Sequence, residues 1–496
     1  MKNKFSAFEK MRLVVFLYLL LIGDLLAQPN GGEPSARQFR AGASISNITP
    51  SLGKGIVGNF GIPPPATHVH DQLHARTLVL DDGDTKLVFV MVDNVAIKRE
   101  VFDEAKRRIH EKTGLPVANM LMSATHTHSC IGAGGGLTGD ELGWCDWDLG
   151  KELVGYQLLL VDRMVDGVLV ALNNLEPARI GWGVGEVPQH LFNRRWKMKD
   201  PVISPFGEEE IVRMNPGIAN PDLLEPAGPT DPEIAFLSVQ SIEGRPIALL
   251  GNYSLHYVGG LPLGHLSADY FGYFADRIQD LLDADRQDPP FVGIMSNGTS
   301  GDVNNIDFRG PAEKYPPYGK MKLVADDVAR EVLRVHKNIK HLDWVKLQVE
   351  QSELVLDVRR ATPEMLADLE EILAVPESQK PIYHPLEKVF AESVLQMEDE
   401  YPDKVEVILQ AFRIGELNVA AIPFEVFTET GLEIKEKIPG SQTFTISLAN
   451  GWGGYLPTPE QHALGGYETW FSVNKVEKTA SRKIVDELIS LFARMN

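Results

Sequence analysis

The chain has 496 residues, 44% hydrophobic and 23% charged, the balance of a globular protein long enough for a large core, which excludes a disordered chain. A net charge of −20 excludes nucleic acid and anionic membrane surfaces as partners, because phosphate recognition needs a basic face. A small or neutral substrate is expected.

At the start, Lys2, Lys4, Lys10 and Arg12 lead into the apolar run Leu13 to Ile22, and Leu25-Leu26-Ala27 precede Gln28. A basic beginning, a short apolar run and a small residue before the cut describe a secretory signal peptide over residues 1–27. An uncleaved anchor is the alternative, although the run is short for a membrane span. Cleavage removes four basic and two acidic residues and takes the net charge from −20 to −22. The expectation is a secreted or periplasmic protein with no stable membrane span after signal removal. Residues 28–39 then read as a polar linker and 40–496 as one large domain.

Along that domain, "TKLVFVMVDNVAI" (85–97) predicts a buried strand. "REVFDEAKRRIHEKTG" (99–114) predicts a helix stopped by Gly114. A long, mostly apolar helix is expected over 148–175, strands over 233–241 and 245–256, and a helix over 268–282. Further strands follow in "DWVKLQVEQSELVL" and in a hairpin about Gly415. Residues 358–402, charged and Pro-punctuated, read as a helical insertion. The fold class expected is mixed α+β or α/β, a single domain with a mixed β-sheet core flanked by helices.

Polar residues collect where apolar strands stop. "MLMSATHTHSCIGAGGG" (120–136) carries His126 and His128, which share a face if the strand continues through them. Such a pair is either a metal site or an ordinary hydrogen-bonded pair. "GNYSLHYVGG" repeats the pattern at His256, and "LNVAAIPFEVFTETG" places Glu425 at an expected helix start, as a ligand or merely a helix-dipole residue. "MSNGTSGDVNNIDFRG" is a turn dense in Asn and Asp, and Tyr455 and Tyr467 each follow two glycines. Two imidazoles, a carboxylate and a phenol make an N/O donor set suited to Zn²⁺. The two cysteines, Cys130 and Cys145, are read equally well as a disulfide or as free thiols.

"SATHTHS", "NRR" (193–195), "GNYSLH", "SADYFG", "NGTSGDVNNID", "IPFE" and "GGYLPT…GGYE" occur in this order over about residues 40–475. Together they resemble the neutral/alkaline non-lysosomal ceramidase family. The resemblance implies a catalytic domain over 40–496 that hydrolyses an N-acyl amide bond. It implies Zn²⁺ held by His126, His256, Glu425 and Tyr455, with His128, Arg194 and Tyr467 lining the reaction centre. The partner implied is a small-molecule or lipid-like N-acyl substrate. Two departures stand out. The family's Gly-Asp-Val-Ser-Pro-Asn is here Gly301-Asp302-Val303-Asn304-Asn305-Ile306, which leaves Asn304 to orient water or substrate. The family also continues into a C-terminal immunoglobulin-like domain, whereas this chain ends 29 residues after Tyr467. The acyl substrate, amide or ester, is therefore left open, and a binding protein that keeps the metal but not turnover is the alternative.

Overall fold

The computed structural model describes residues 37–58, 63–133, 152–153, 155–284, 287–438 and 442–495. The expected signal peptide, most of the linker, the glycines at 134–136, Cys145 and the first residues of the 148–175 helix lie outside these. Residues 38–496 belong to one unit.

Eight strands form the main sheet: β1 (Arg40–Asn47), β2 (His74–Asp81), β3 (Lys86–Val92), β4 (Met120–Ala124), β5 (Glu176–Glu186), β6 (Glu233–Ser241), β7 (Pro246–Tyr253) and β8 (Val292–Asn297). Their spatial order is β8-β7-β6-β5-β1-β2-β3-β4. A second sheet holds β9 (Leu347–Asp357), β10 (Lys404–Ile414), β11 (Leu417–Ala421) and β12 (Gln442–Ile446), in chain order. The helices used below are α1 (Arg99–Thr113), α2 (Tyr156–Asn173), α3 (Asp269–Leu281), α4 (Gly319–His336), α5 (Pro363–Ala374), α6 (Glu387–Glu400), α7 (Thr428–Lys437) and α8 (Ala480–Arg494).

The continuous apolar run of β3 follows from burial on both faces. Leu87, Phe89 and Met91 point into a core shared with Phe412, Leu417 and Phe444 of the second sheet. Val88, Val90 and Val92 point the other way, against residues of α1 and α2 such as Val101, Phe102 and Val161. In β10, Phe412 and Ile414 face the shared core, while Val405, Val407 and Leu409 pack against Ile484, Leu488 and Leu491 of α8. Helices α3 and α4 cover the β6–β8 end of the main sheet. The result is four layers, helices on two sheets on helices. Where α2 crosses β1 the backbones nearly touch: a Cβ on Gly42 would sit 2.2 Å from the Ala171 carbonyl oxygen, so only glycine fits.

Most neighbouring strands are antiparallel, but β3/β4, β7/β8 and β11/β12 are parallel. Their crossovers run through α1, α3 and α7, as parallel pairing requires. Three of these six strands, β4, β7 and β11, stop just before His126, His256 and Glu425. Carboxyl ends of parallel strands are where α/β sheets leave room for ligands.

Most strand and helix boundaries expected from sequence agree with these elements to within a few residues; the strand expected over 85–97 ends earlier, at Val92, the helix expected over 148–175 starts later, at Tyr156, and two further differences bear on the site. β4 ends at Ala124, so His126 and His128 do not alternate along a strand. His126 instead has φ of 77°, because Thr125 and His126 donate their N–H groups to the Val92 and Asn94 carbonyls beyond the end of β3. A left-handed conformation costs a bulky residue on the order of 1 kcal/mol or more. Glu425, expected at a helix start, lies in a two-residue strand parallel to Tyr455-Leu456, and α7 begins only at Thr428. The Glu425 N–H is taken by the Gly454 carbonyl, which holds the residue in that strand pairing.

Candidate metal centre

Three imidazoles meet where β4 and β7 end. Nε2 of His126 lies 3.0 Å from Nε2 of His256 and 3.1 Å from Nε2 of His128. Each ring uses its other nitrogen on a main-chain carbonyl: His126 Nδ1 on Val95, His256 Nδ1 on Ser300 and His128 Nδ1 on Gly58. A carbonyl oxygen only accepts, so the protons sit on Nδ1 and the Nε2 lone pairs face one another. Burial, reinforced by the neighbouring imidazoles, pushes the pKa of His128 and of His256 well below the ordinary histidine value.

Glu425 completes the cluster. Its Oε2 stands 3.2 Å from His126 Nε2 and 3.9 Å from His256 Nε2, and has no hydrogen-bond partner although the atom is buried. Burial raises the Glu425 pKa, but the facing His126, Tyr455 and Arg194 outweigh it and hold the carboxyl below its usual range. Lone pairs converging with no proton between them repel unless a cation sits among them. His126, His128 and His256 offer donor atoms all within 4.8 Å of one another. Imidazole nitrogen with carboxylate oxygen is the donor chemistry of Zn²⁺, so the residues present fit a divalent ion.

Around this centre stand the remaining residues expected from sequence. Arg194 donates Nε to Glu468 Oε1 at 2.9 Å, and Arg195 donates Nη1 to Glu468 Oε2 at 2.7 Å. Nη1 of Arg194 lies 3.4 Å from His256 Nε2, and its buried Nη2 has no partner. Burial works against the Arg194 charge, but Tyr455, Glu468 and Glu425 raise its pKa above the ordinary value. The Tyr455 ring lies under that guanidinium, 5.2 Å from centroid to Cζ. Burial and the Glu425 charge outweigh Arg194 and keep the Tyr455 phenol well above its usual pKa. Tyr467 meets the Tyr455 ring at 5.8 Å between centroids.

Asn304 is engaged otherwise. Its amide donates to Asn215 Oδ1 at 2.8 Å and its Oδ1 accepts the Ile306 N–H at 2.9 Å. It stays connected to the centre through the backbone, in a short antiparallel pairing with Phe192-Asn193 beside Arg194.

Other residues escaped the sequence reading. Tyr257 stacks on His128 at 3.8 Å between centroids and 13° between planes, and Glu468 balances two buried guanidinium groups. Asp302 accepts from Asn193 Nδ2, from Thr428 Oγ1 and from the Thr428 N–H, while its carbonyl accepts the Arg194 N–H. It thereby ties the Arg194 segment to the start of α7. Position next to a motif residue was the only signal for Tyr257, whereas Glu468 closes the "GGYE" motif but was given no role there. Cys130 is a buried thiol whose Sγ accepts the Val95 N–H. No helix among the described residues is long and apolar enough to cross a membrane.

The chain resembles known proteins over most of its length. A neutral ceramidase of Pseudomonas aeruginosa is 22% identical over 510 residues, spanning 91% of this chain and 72% of that protein. Neutral ceramidase B of Dictyostelium discoideum is 22% identical over 331 residues, 62% of this chain and 42% of its own length. The crystal structure of the P. aeruginosa neutral ceramidase superposes with a TM-score of 0.67 at 18% identity, covering 93% of this chain and 75% of that one. A ceramidase complexed with C2 superposes with a TM-score of 0.66 at 17% identity, covering 92% and 76%. The model of the neutral/alkaline non-lysosomal ceramidase N-terminal region matches residues 39–312, more than half of the sequence. The chain therefore belongs to the neutral/alkaline non-lysosomal ceramidase family.

Proposed function

We propose that this protein is an exported amidohydrolase that cleaves the N-acyl bond of ceramide or a closely related N-acyl lipid at a zinc centre. The observation that carries the reading is the convergence of imidazole Nε2 lone pairs with the unpartnered Glu425 Oε2. Relatives named neutral ceramidase support the substrate class. His126, His256 and Glu425 would hold the ion, with Tyr455 closing the shell. When bound there, zinc supplies Lewis acidity and a water with a pKa near 7.

The chain's own residues do the rest. His128, neutral because it is buried and tethered to Gly58 through Nδ1, has an Nε2 lone pair free to take a proton from water and pass it to the leaving amine. Tyr257, stacked on the ring, fixes its plane. The unpartnered Arg194 Nη2 donates to the oxygen of the acyl carbonyl as negative charge develops, a contribution of roughly 3 kcal/mol for one such donor. Tyr467, whose phenol is kept protonated chiefly by burial, is a second donor. Water adds to the acyl carbon, the C–N bond breaks, and a carboxylic acid and an amine leave.

Turnover of N-acylsphingosine by zinc-loaded protein, lost in His126→Ala, tests the reading. The altered turn at Asn304 favours one other reading, a binding protein that keeps the centre without turnover. Tight N-acylsphingosine binding without hydrolysis by the zinc-loaded wild type would establish it. Export is supported by the leader pattern of residues 1–27.

A further inference from the structure

Glu425 presents two oxygens to two environments. Oε2 faces His126 and His256 without a hydrogen bond, whereas Oε1 accepts the indole Nε1–H of Trp452 at 3.0 Å. An indole nitrogen donates and cannot accept, so Trp452 selects one orientation of the carboxylate and offers no atom that competes for a cation.

The segment carrying Trp452 is built into this place. Asn450, in a left-handed conformation (φ 63°), donates its N–H to the Met122 carbonyl, on the strand that leads to His126. Its side chain accepts from the buried Lys106 Nζ and donates to Gln410 Oε1, both at 2.7 Å. On the far side of Trp452, a Cβ on Gly453 would lie 2.3 Å from the Phe424 ring. The loop therefore lies directly on the Phe424-Glu425 segment, and only glycine permits that approach. Trp452 also lines a cleft of about 560 Å³ with Arg99, Lys404, Glu406 and Pro423, a cleft that does not include Glu425.

We infer that Trp452 is a positioning residue for the centre: its indole N–H turns Glu425 so that Oε2 faces the imidazoles, and this sets how tightly the centre holds a divalent ion. The inference rests on the metal reading proposed above. Outer hydrogen bonds to metal ligands are worth about 10–100-fold in metal affinity. Phenylalanine keeps an aromatic ring at the position and removes the donor along with part of the indole.

The experiment is competition of metal-free wild type and Trp452→Phe against a chromophoric chelator for zinc, with tryptophan emission recorded in the same titration and cooperative melting as the check on folding. Trp452→Phe is expected to bind zinc about 10–100-fold more weakly. The change in emission on adding zinc to the wild type is expected to be largely absent from the variant. A folded Trp452→Phe with wild-type zinc affinity overturns the inference and leaves the metal reading standing. A wild type that holds no zinc overturns the metal reading, and this inference with it. Where Trp452→Phe does not fold, Trp452→Leu, which also lacks the donor, takes its place: folded protein with wild-type zinc affinity overturns the inference, and weaker binding supports it.

Discussion

His126 and His256 meet edge to face, with ring planes at 88° and Nε2 atoms 3.0 Å apart, each ring tethered through Nδ1 to a carbonyl from a different loop. Neither ring can turn its lone pair away without abandoning that carbonyl. The pair is thus preorganised to share a cation, and the first prediction concerns which histidines hold it.

His126→Ala should lose both zinc and turnover, because His126 Nε2 lies within 3.2 Å of His128 Nε2, His256 Nε2 and Glu425 Oε2 alike. His128→Ala should keep most of its zinc and lose turnover by about 10²-fold or more, the usual worth of a general base. Elemental analysis alongside amide hydrolysis separates the two. Equal loss of zinc in both variants would make His128 a ligand.

Replacing Asn304 tests the altered turn. Its amide is held by Asn215 and Ile306, so Asn304→Ala should lower turnover only a few-fold and leave zinc content intact, through small movements of the adjoining Phe192-Asn193 strand beside Arg194. Asn304→Ser should bring little gain in N-acylsphingosine hydrolysis, since Asn305 and Ile306 also reshape the turn. A large gain, read as kcat/KM, would mean that the pocket retains a serine-dependent route.

Glu468→Gln addresses the two arginines. Glu468 and Arg195 are fully buried, Arg194 nearly so, and each carboxylate oxygen serves one guanidinium. Removing the charge leaves two buried cations short of a partner, a loss of roughly 3–5 kcal/mol. Calorimetry should show a clearly lower Tm, with turnover falling as Arg194 loses its support.

A pH-dependent prediction falls on Glu210. Its carboxylate accepts the Trp470 indole N–H through both oxygens, next to the Tyr467 turn. Burial pushes its pKa up to about 7, against the opposing hydrogen bonds from Trp470 and Gly466. Since the folded state holds this proton longer than the unfolded chain, Glu210 contributes stability below about pH 4.5 that is lost as pH rises through 7. Glu210→Gln lacks this loss. Its stability relative to wild type should rise between about pH 5 and pH 7, by at most about 1.4 kcal/mol per pH unit. Denaturant melts at pH 5, 6, 7 and 8 would read this difference, and parallel curves would contradict the assignment.

Export predicts a mature protein beginning near Gln28. Intact mass of the exported form checks this, and a membrane-bound form retaining residues 1–27 would favour the anchor.

The layered fold was largely legible in the residues. Apolar runs such as Lys86–Val92 and Glu233–Ser241 state their strand character through β-branched content, and Arg99–Thr113 its helix through 3.6-residue spacing and Gly114, because these signals are local. The order of short motifs along the chain also marked side chains that the structure brings together at this centre, His126, His128, His256 and Glu425 among them. What local pattern could not express is direction. His126 and His128 read as strand neighbours, but a left-handed turn at His126 aims them, and that turn exists because carbonyls beyond β3 capture the N–H groups of Thr125 and His126. Glu425 read as a helix start, yet pairing with Tyr455 from thirty residues onward makes it a strand. The partners of Glu425 Oε1 and Glu468 are likewise remote in sequence, and such contacts form only when strand ends from separate crossovers arrive at one point. Sequence by itself determined which donors this protein possesses and which segments carry them. The tertiary structure decided which lone pairs face one another, because that depends on long-range hydrogen bonds that no window of neighbouring residues contains.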